Sequence, residues 1–343
     1  MENLFNYTLQ ELEEYLVNKG FKAFNARQVF EWIYKKDETD FSQMSNLSKK
    51  LRGFLDETMT VNTLTVVSHQ TSRDGTQKFL FRLTDGQVIE TVLMKHNYGN
   101  SVCVTSQIGC NMGCSFCASG LYKKTRDLTR GEIVQQIMTV KSLINERISH
   151  VVIMGIGEPF ENYDHTMAFI DIINSPYGLE IGARHITVST SGIVPRIYDF
   201  AKDPKQVNLA ISLHAPNNRL RTQIMKINNV YPIEDILKAV KYYIDQTNRR
   251  VTFEYILLSG VNDSIAHADE LSNVLRGINC YVNLIRYNVV EEFSYQGTPQ
   301  NQAKAFHDRL MERGITATLR HEKGGDIDAA CGQLRSKDIK ENA

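Results

Sequence analysis

A chain of 343 residues, 42% hydrophobic and 23% charged, has the balance of a globular protein with room for one large α/β domain and a smaller appendage. Its 39 Lys and Arg against 39 Asp and Glu leave no net charge, which excludes binding to nucleic acid through bulk positive charge but not through local patches. No run of about 18 apolar residues occurs, and Glu2, Glu11, Glu13 and Glu14 stand where a leader would be basic and then apolar, so a cytoplasmic location without a membrane span is expected.

At the start of the chain, Thr8 and Glu11 make a capping-box pattern ahead of Leu9, Leu12, Tyr15 and Leu16. A second amphipathic stretch from about Asn25 places Val29, Phe30 and Ile33 on one face. Residues 64–94 turn strand-like, with turn signals at Arg73-Asp74-Gly75 and Asp85-Gly86. Residues 1–95 are therefore read as a small helical and β accessory domain, and 96–343 as the main domain.

In the main domain, apolar and β-branched segments recur at 101–105, 150–154, 185–189, 207–214, 250–258, 281–287 and 315–319, with helical patterns between them. One of those helices opens with Thr129 and Glu132, another capping box. Repeated βα units predict a full or partial (β/α) barrel, with a doubly wound sheet as the alternative. A barrel would gather Gly155-Ile156-Gly157-Glu158, 189–192, Ser212-Leu213-His214 and Asn288 at the carboxyl ends of its strands, where such folds keep their chemistry.

Six cysteines are present: Cys103, Cys110, Cys114, Cys117, Cys280 and Cys331. A reducing cytosol argues against a disulfide framework, and four cysteines within residues 103–117 point to a metal or redox site. Cys110, Cys114 and Cys117 could bind three irons of a cubane, leaving the fourth without a protein ligand and open to a small molecule. The alternative is zinc with Cys103 as a fourth ligand, although zinc sites usually use two well-separated cysteine pairs. Cys280 is read as structural.

The spacing Cys110-x-x-x-Cys114-x-x-Cys117, with Phe116 before the last cysteine, resembles the radical S-adenosylmethionine (SAM) superfamily motif. That resemblance implies a (β/α)6-type partial barrel, one [4Fe–4S] cluster, and SAM chelating the unique iron. Gly157-Glu158 resembles the element that contacts the SAM ammonium, with Ile156 replacing its first glycine. Nearly the whole chain is similar to the RNA adenine-C2 methyltransferases, a sister group of C8 methyltransferases that confer ribosomal antibiotic resistance. The segments carrying this are 89–93, 103–107, 183–192, 212–214 and 325–334.

Adenine C2 is electrophilic, so a carbon radical must be delivered to it, and the family resemblance implies how. Cys331 would take a methyl group from one SAM, and cleavage of a second SAM would convert that S-methylcysteine to a methylene radical that adds to the ring. Glu90 would remove the ring proton, and Cys103 would resolve the covalent RNA adduct through a transient disulfide with Cys331. The resemblance also assigns SAM contacts to Ser189, Ser212, Leu213, His214 and Asn288. Taken alone, Cys103 and Cys331 could be buried small hydrophobes and His214 a satisfied interior histidine.

Arg286 and Lys226, which replace usual prolines, look like the C8 branch, whereas Glu158-Pro159 and residues 182–192 look like the C2 branch, which is the favoured reading. A different class of reading is an RNA-binding module with a structural cluster. For the methyltransferase, the family implies 23S rRNA and tRNA as partners, a flavodoxin-type reductant, and no oligomer beyond a monomer. The adenine is expected to be extruded into the barrel mouth, with Lys123, Lys124 and Arg126 as phosphate contacts.

Overall fold

The computed structural model describes residues 1–61 and 64–334. The chain begins with three helices: α1 (Leu9–Asn18), α2 (Phe24–Phe30), which runs on into a π turn at Glu31–Lys35, and α3 (Lys49–Thr58). Thr8 and Glu11 form the full capping box before α1, and Ser48 caps α3. Leu12, Leu16, Val29, Phe30, Tyr34, Leu51 and Leu55 are buried between them. Arg130 ties this unit to the main domain by pairing with Glu11 at 2.6 Å.

The main sheet is continuous. Its strands are β1 (Thr65–Thr71), β2 (Gln77–Arg82), β3 (Val88–His96), β4 (Gly99–Cys103), β5 (Ile148–Ile153), β6 (Ile186–Thr190), β7 (Asn208–Ser212), β8 (Val251–Leu257), β9 (Cys280–Arg286) and β10 (Ala317–Leu319). Strands lie side by side in chain order from β1 to β10. The first four pair antiparallel and β4 to β10 pair parallel. Helices α4 (Arg130–Ile144), α5 (Tyr163–Asn174), α6 (Val194–Phe200), α7 (Asn218–Ile224), α8 (Ile233–Thr247), α9 (Ile265–Val274) and α10 (Gln300–Glu312) make the crossovers.

Six βα units wound in one direction, ended by β10, make a partial barrel and not a doubly wound sheet, whose strand order would reverse at its middle. The strands expected at 64–94 belong to this same sheet, joined to the barrel through β3 and β4. The outer face of the barrel is apolar: Val102, Val151, Val188, Leu209, Ile211, Phe253, Leu257, Val282 and Leu284 are buried in its core. The inner face is mixed, and alternation turns Cys103, Ser189, Ser212, Glu254 and Ile285 toward the lumen. The strands therefore do not bury apolar residues on both faces, because one face lines a cavity.

After β10 the chain crosses the open side of the barrel. Ser72 Oγ donates to Asp326 at 2.5 Å, the Gly324 N–H to Asp74 at 3.0 Å, and Lys323 Nζ to the Lys95 carbonyl at 2.7 Å. Beyond them, the Ala118 N–H donates to the Gly332 carbonyl at 2.8 Å and Ser119 Oγ to that of Leu334 at 2.9 Å. This last segment thus spans from the β10 edge to the β1–β2 hairpin and lands beside the cysteine loop. Among the described residues no helix is long and apolar enough to cross a membrane.

Candidate active site

Cys110, Cys114 and Cys117 sit on one loop between a two-residue strand (Gln107–Ile108) and a 3-10 turn (Ala118–Leu121). Pairing of Gln107–Ile108 with Arg126–Asp127, and a Cys110 N–H bond to the Tyr122 carbonyl at 3.0 Å, close that loop. All three cysteines line one cavity together with the ends of the barrel strands. Burial pushes Cys110 up to about 12 and raises Cys114 and Cys117, and mutual repulsion adds to the shift at Cys110 and Cys114. Three crowded thiols of this kind become thiolates only with a cationic group among them.

Among the described residues no three His, Cys, Asp or Glu side chains converge on a single metal ion. Three cysteines on one loop, all lining one cavity, suit a polynuclear iron–sulfur group, which spreads its three ligands over three irons. Cys103, which a zinc site would need, lies at the end of β4 beside Cys331.

The cavity wall opposite the loop comes from strand ends. Gly157 has φ +108, and a Cβ there would stand 2.6 Å from Gln107 Cβ and 2.9 Å from the Gln107 backbone N, so this close approach admits only glycine. Glu158 is buried, and burial raises its pKa. Its two oxygens accept the N–H groups of Ser191 at 2.6 Å and Phe160 at 3.0 Å, the side chains of Ser191 and Thr190 add further hydrogen bonds that oppose the rise, and the residue lines the cavity.

Ser189 and Ser212, on β6 and β7, face each other across 3.5 Å and line the same wall. His214 follows β7 at φ +57, and its Nδ1 accepts the Ile256 N–H at 3.0 Å. Burial lowers it to about 3, so the imidazole is neutral with its proton on Nε2, facing the cavity as a donor.

Two expected contacts fall elsewhere. The Leu213 side chain is in the core, its N–H bonds the Glu254 carbonyl at 3.1 Å and its carbonyl accepts from Arg221. Leu213 is therefore a support and not a lining residue. Asn288 lines the neighbouring cavity that holds Cys103 and Cys331.

That second cavity adjoins the first, and Cys117, Ser119, Arg320 and Cys331 line both. Burial pushes the Cys103 thiol up to about 12, and the nearby Cys331 adds to the shift. The disulfide implied between them is not formed: all six cysteines are free. Cys280 begins β9, half-buried, away from both cavities.

Glu90 departs most from expectation. It lies on the same face of β3 as Val92 and Met94, which line the two-cysteine cavity, but faces a separate one walled by Lys78, Asp326, Ile327 and Asp328. Lys78 Nζ is 3.4 Å from its carboxylate.

Of the expected phosphate contacts, Lys124 pairs with Asp127 at 3.3 Å and Glu161 at 3.4 Å, and Arg126 with Asp85 and Glu132, each at 2.7 Å. Both therefore serve the fold, while Lys123 lines a surface groove beside the cysteine loop.

Two residues that no motif singled out organise the strand ends. Arg221, fully buried, donates to the carbonyls of Ser191 at 2.5 Å, Ser212 at 3.3 Å, Leu213 at 3.2 Å and Tyr231 at 3.2 Å, and to Asn228 Oδ1 at 3.1 Å. Asn262 donates to the carbonyls of His214 at 2.8 Å and Ile256 at 2.7 Å.

Known proteins resemble this chain over nearly all of its length. Residues 104–271 match the radical SAM superfamily, and residues 2–61 match the ribosomal RNA large subunit methyltransferase N-terminal domain. The chain is 55% identical over 344 residues to a probable dual-specificity RNA methyltransferase RlmN of Geobacillus kaustophilus (strain HTA426), covering 99% of this chain and 94% of that one. It is 53% identical over 339 residues to the protein of the same description from Bacillus subtilis (strain 168), covering 98% and 93%. In three dimensions it is similar to a radical SAM methyltransferase from Sphaerobacter thermophilus, with a TM-score of 0.92, 45% identity, and coverage of 98% of this chain and 100% of that one.

Proposed function

The chain belongs to the dual-specificity RNA methyltransferase RlmN family of radical-SAM enzymes, and on that premise we propose that it methylates C2 of a specific adenosine in 23S rRNA and of an adenosine in tRNA. The observation that carries the proposal is the adjacency of two cavities, one lined by the three-cysteine loop and one by Cys103 and Cys331, which share Cys117 and Cys331.

Cys110, Cys114 and Cys117 would hold a [4Fe–4S] cluster with SAM on its open iron. When bound, these groups supply the methyl group and the one-electron chemistry that abstracts hydrogen. The chain's own residues then have separable tasks. Glu158 keeps a buried carboxylate aimed at the SAM ammonium, and Ser189, Ser212 and the Nε2–H of His214 offer polar contacts to the rest of the ligand. Cys331 accepts the methyl group. Cys103, a thiol because of its burial, must lose its proton before it can attack the Cys331 sulfur and release the methylated RNA.

Glu90 is the proposed base for the C2 proton, although its side chain lines the cavity of Lys78, Asp326, Ile327 and Asp328 and not that of the two cysteines. Residues 1–95 and Lys123 are the proposed RNA contacts, a flavodoxin-type protein the proposed electron donor, and a monomer the proposed working state. Family membership favours C2 over C8 as the carbon methylated.

The test is anaerobic. Cluster-loaded protein is incubated with SAM, a reductant and unmodified 23S rRNA fragment or tRNA, and the digested nucleosides are identified against methyladenosine standards. 2-Methyladenosine from both RNAs is expected. 8-Methyladenosine, or SAM cleavage without RNA methylation, refutes the substrate assignment.

A further inference from the structure

Arg320 follows β10 directly and turns into the lumen. Its Nη1–H donates to Cys331 Sγ at 3.8 Å, and its side chain lines both cavities, so it stands where the cluster site and the two-cysteine site meet. The other arginines near this region are engaged differently: Arg286 pairs with Glu322 at 3.1 Å, and Arg221 is committed to carbonyls. The charged and titratable groups acting on Arg320 include Cys331, Glu254, Cys103, Tyr98 and His96, and Cys331 also acts on Cys117. Glu254, the carboxylate among them, accepts from Asn283 Nδ2 at 2.8 Å.

We propose that Arg320 binds the Cys331 thiolate and aims its sulfur for methyl transfer, an inference that rests on Cys331 being the methyl acceptor. In that step the thiolate sulfur forms a bond to the methyl carbon while the bond from that carbon to the sulfonium sulfur of SAM breaks. The electron pair stays on the departing thioether, S-adenosylhomocysteine, and the negative and positive charges of the reactants disappear together. A guanidinium suits the reactant state because it is always charged and brings planar N–H donors to a soft anion without surrendering a proton. After transfer the sulfur is a neutral thioether and a weak acceptor, so the grip of Arg320 loosens once the methyl group is in place.

The test uses cluster-loaded holoenzyme of the native chain, Arg320→Gln and Arg320→Lys. Without SAM, iodoacetamide labelling of Cys331 is followed by mass spectrometry of its peptide at fixed pH. With SAM, methyl loading on the same peptide is timed, while iron content and SAM affinity are measured in parallel.

Arg320→Gln is expected to slow labelling and loading about tenfold, the size of one lost hydrogen bond to a charged group, with iron content and SAM affinity unchanged. Arg320→Lys is expected to recover a large part of both rates. Native rates in Arg320→Gln overturn the inference, as does a loss that follows iron or SAM affinity and is not recovered by lysine. If the native holoenzyme never carries a methyl group on Cys331, the assignment of that cysteine fails first and this inference fails with it.

Discussion

Replacing Arg221 with methionine separates stability from ligand binding. The guanidinium makes five hydrogen bonds, four to carbonyls of Ser191, Ser212, Leu213 and Tyr231 and one to Asn228. At about 1 kcal/mol for each acceptor left facing an apolar chain, the substitution forfeits about 5 kcal/mol. Against this, methionine avoids burying a cation. Burial pulls the arginine from 12.5 to about 10, which corresponds to about 3 kcal/mol at 1.36 kcal/mol per pKa unit. The net loss is about 2 kcal/mol, and for 343 residues with about 2.1 cal/mol/K each it lowers Tm by about 3 °C.

Binding should suffer more than stability in this variant. Ser191 is held by its carbonyl to Arg221 and by its N–H to Glu158, so loss of the arginine loosens the carboxylate proposed to meet the SAM ammonium. SAM affinity is expected to fall at least about tenfold, the equivalent of one charged hydrogen bond. Calorimetric Tm and equilibrium SAM binding on cluster-loaded protein measure the two effects. A Tm lowered by about 3 °C with SAM affinity unchanged would refute the coupling between Arg221 and Glu158.

Other substitutions test other regions of the site. Gly157→Ala places a methyl group against the Gln107 backbone and is expected to abolish measurable SAM binding while circular dichroism stays native. Cys331→Ala should form no methylated adenosine, whereas Cys103→Ala should accumulate protein joined covalently to RNA, visible as a band shift on a denaturing gel. Lys123→Ala should weaken RNA binding and reduce its salt slope by about one, while Lys124→Ala, which breaks pairs to Asp127 and Glu161, should leave that slope unchanged. His214 is depressed from 6.5 to about 3, so its contribution to stability is intact above 6.5 and is lost as pH falls toward 3. Between pH 7 and pH 5 the native protein should lose roughly 2 kcal/mol through this residue, and His214→Gln should flatten that portion of the Tm–pH curve.

Much of this architecture was legible in the sequence because it is local. Seven β-branched segments became the seven parallel strands, and the Thr8–Glu11 and Thr129–Glu132 pairs formed their capping boxes. The cysteine loop and the strand-end residues Glu158, Ser189, Ser212 and His214 converge because barrel strands all end at one mouth. What escaped depends on contacts that no motif encodes. Arg221 reaches backbone carbonyls that carry no residue signature, and Arg320 is defined by a sulfur eleven positions later. Glu90 shows the opposite failure: its place on β3 is as expected, but the cavity it faces is partly walled by residues 326–328 from the far end of the chain. Lys124 and Arg126 read as free cations only until Glu161, Asp85 and Glu132 are brought beside them.

The segment that closes the side of the barrel is attached by hydrogen bonds such as Ser72–Asp326, Lys323–Lys95 and Ser119–Leu334, and by the Arg286–Glu322 pair. The segment is also held by apolar packing: Ala329 and Leu334 are buried with Val92, Met94, Cys103 and Ile156, and Ile327 packs against them, so opening the closure exposes an apolar seam besides breaking these polar contacts. That same segment carries Cys331, so the place of this sulfur in the cavity is set by the contacts that shut the side of the barrel.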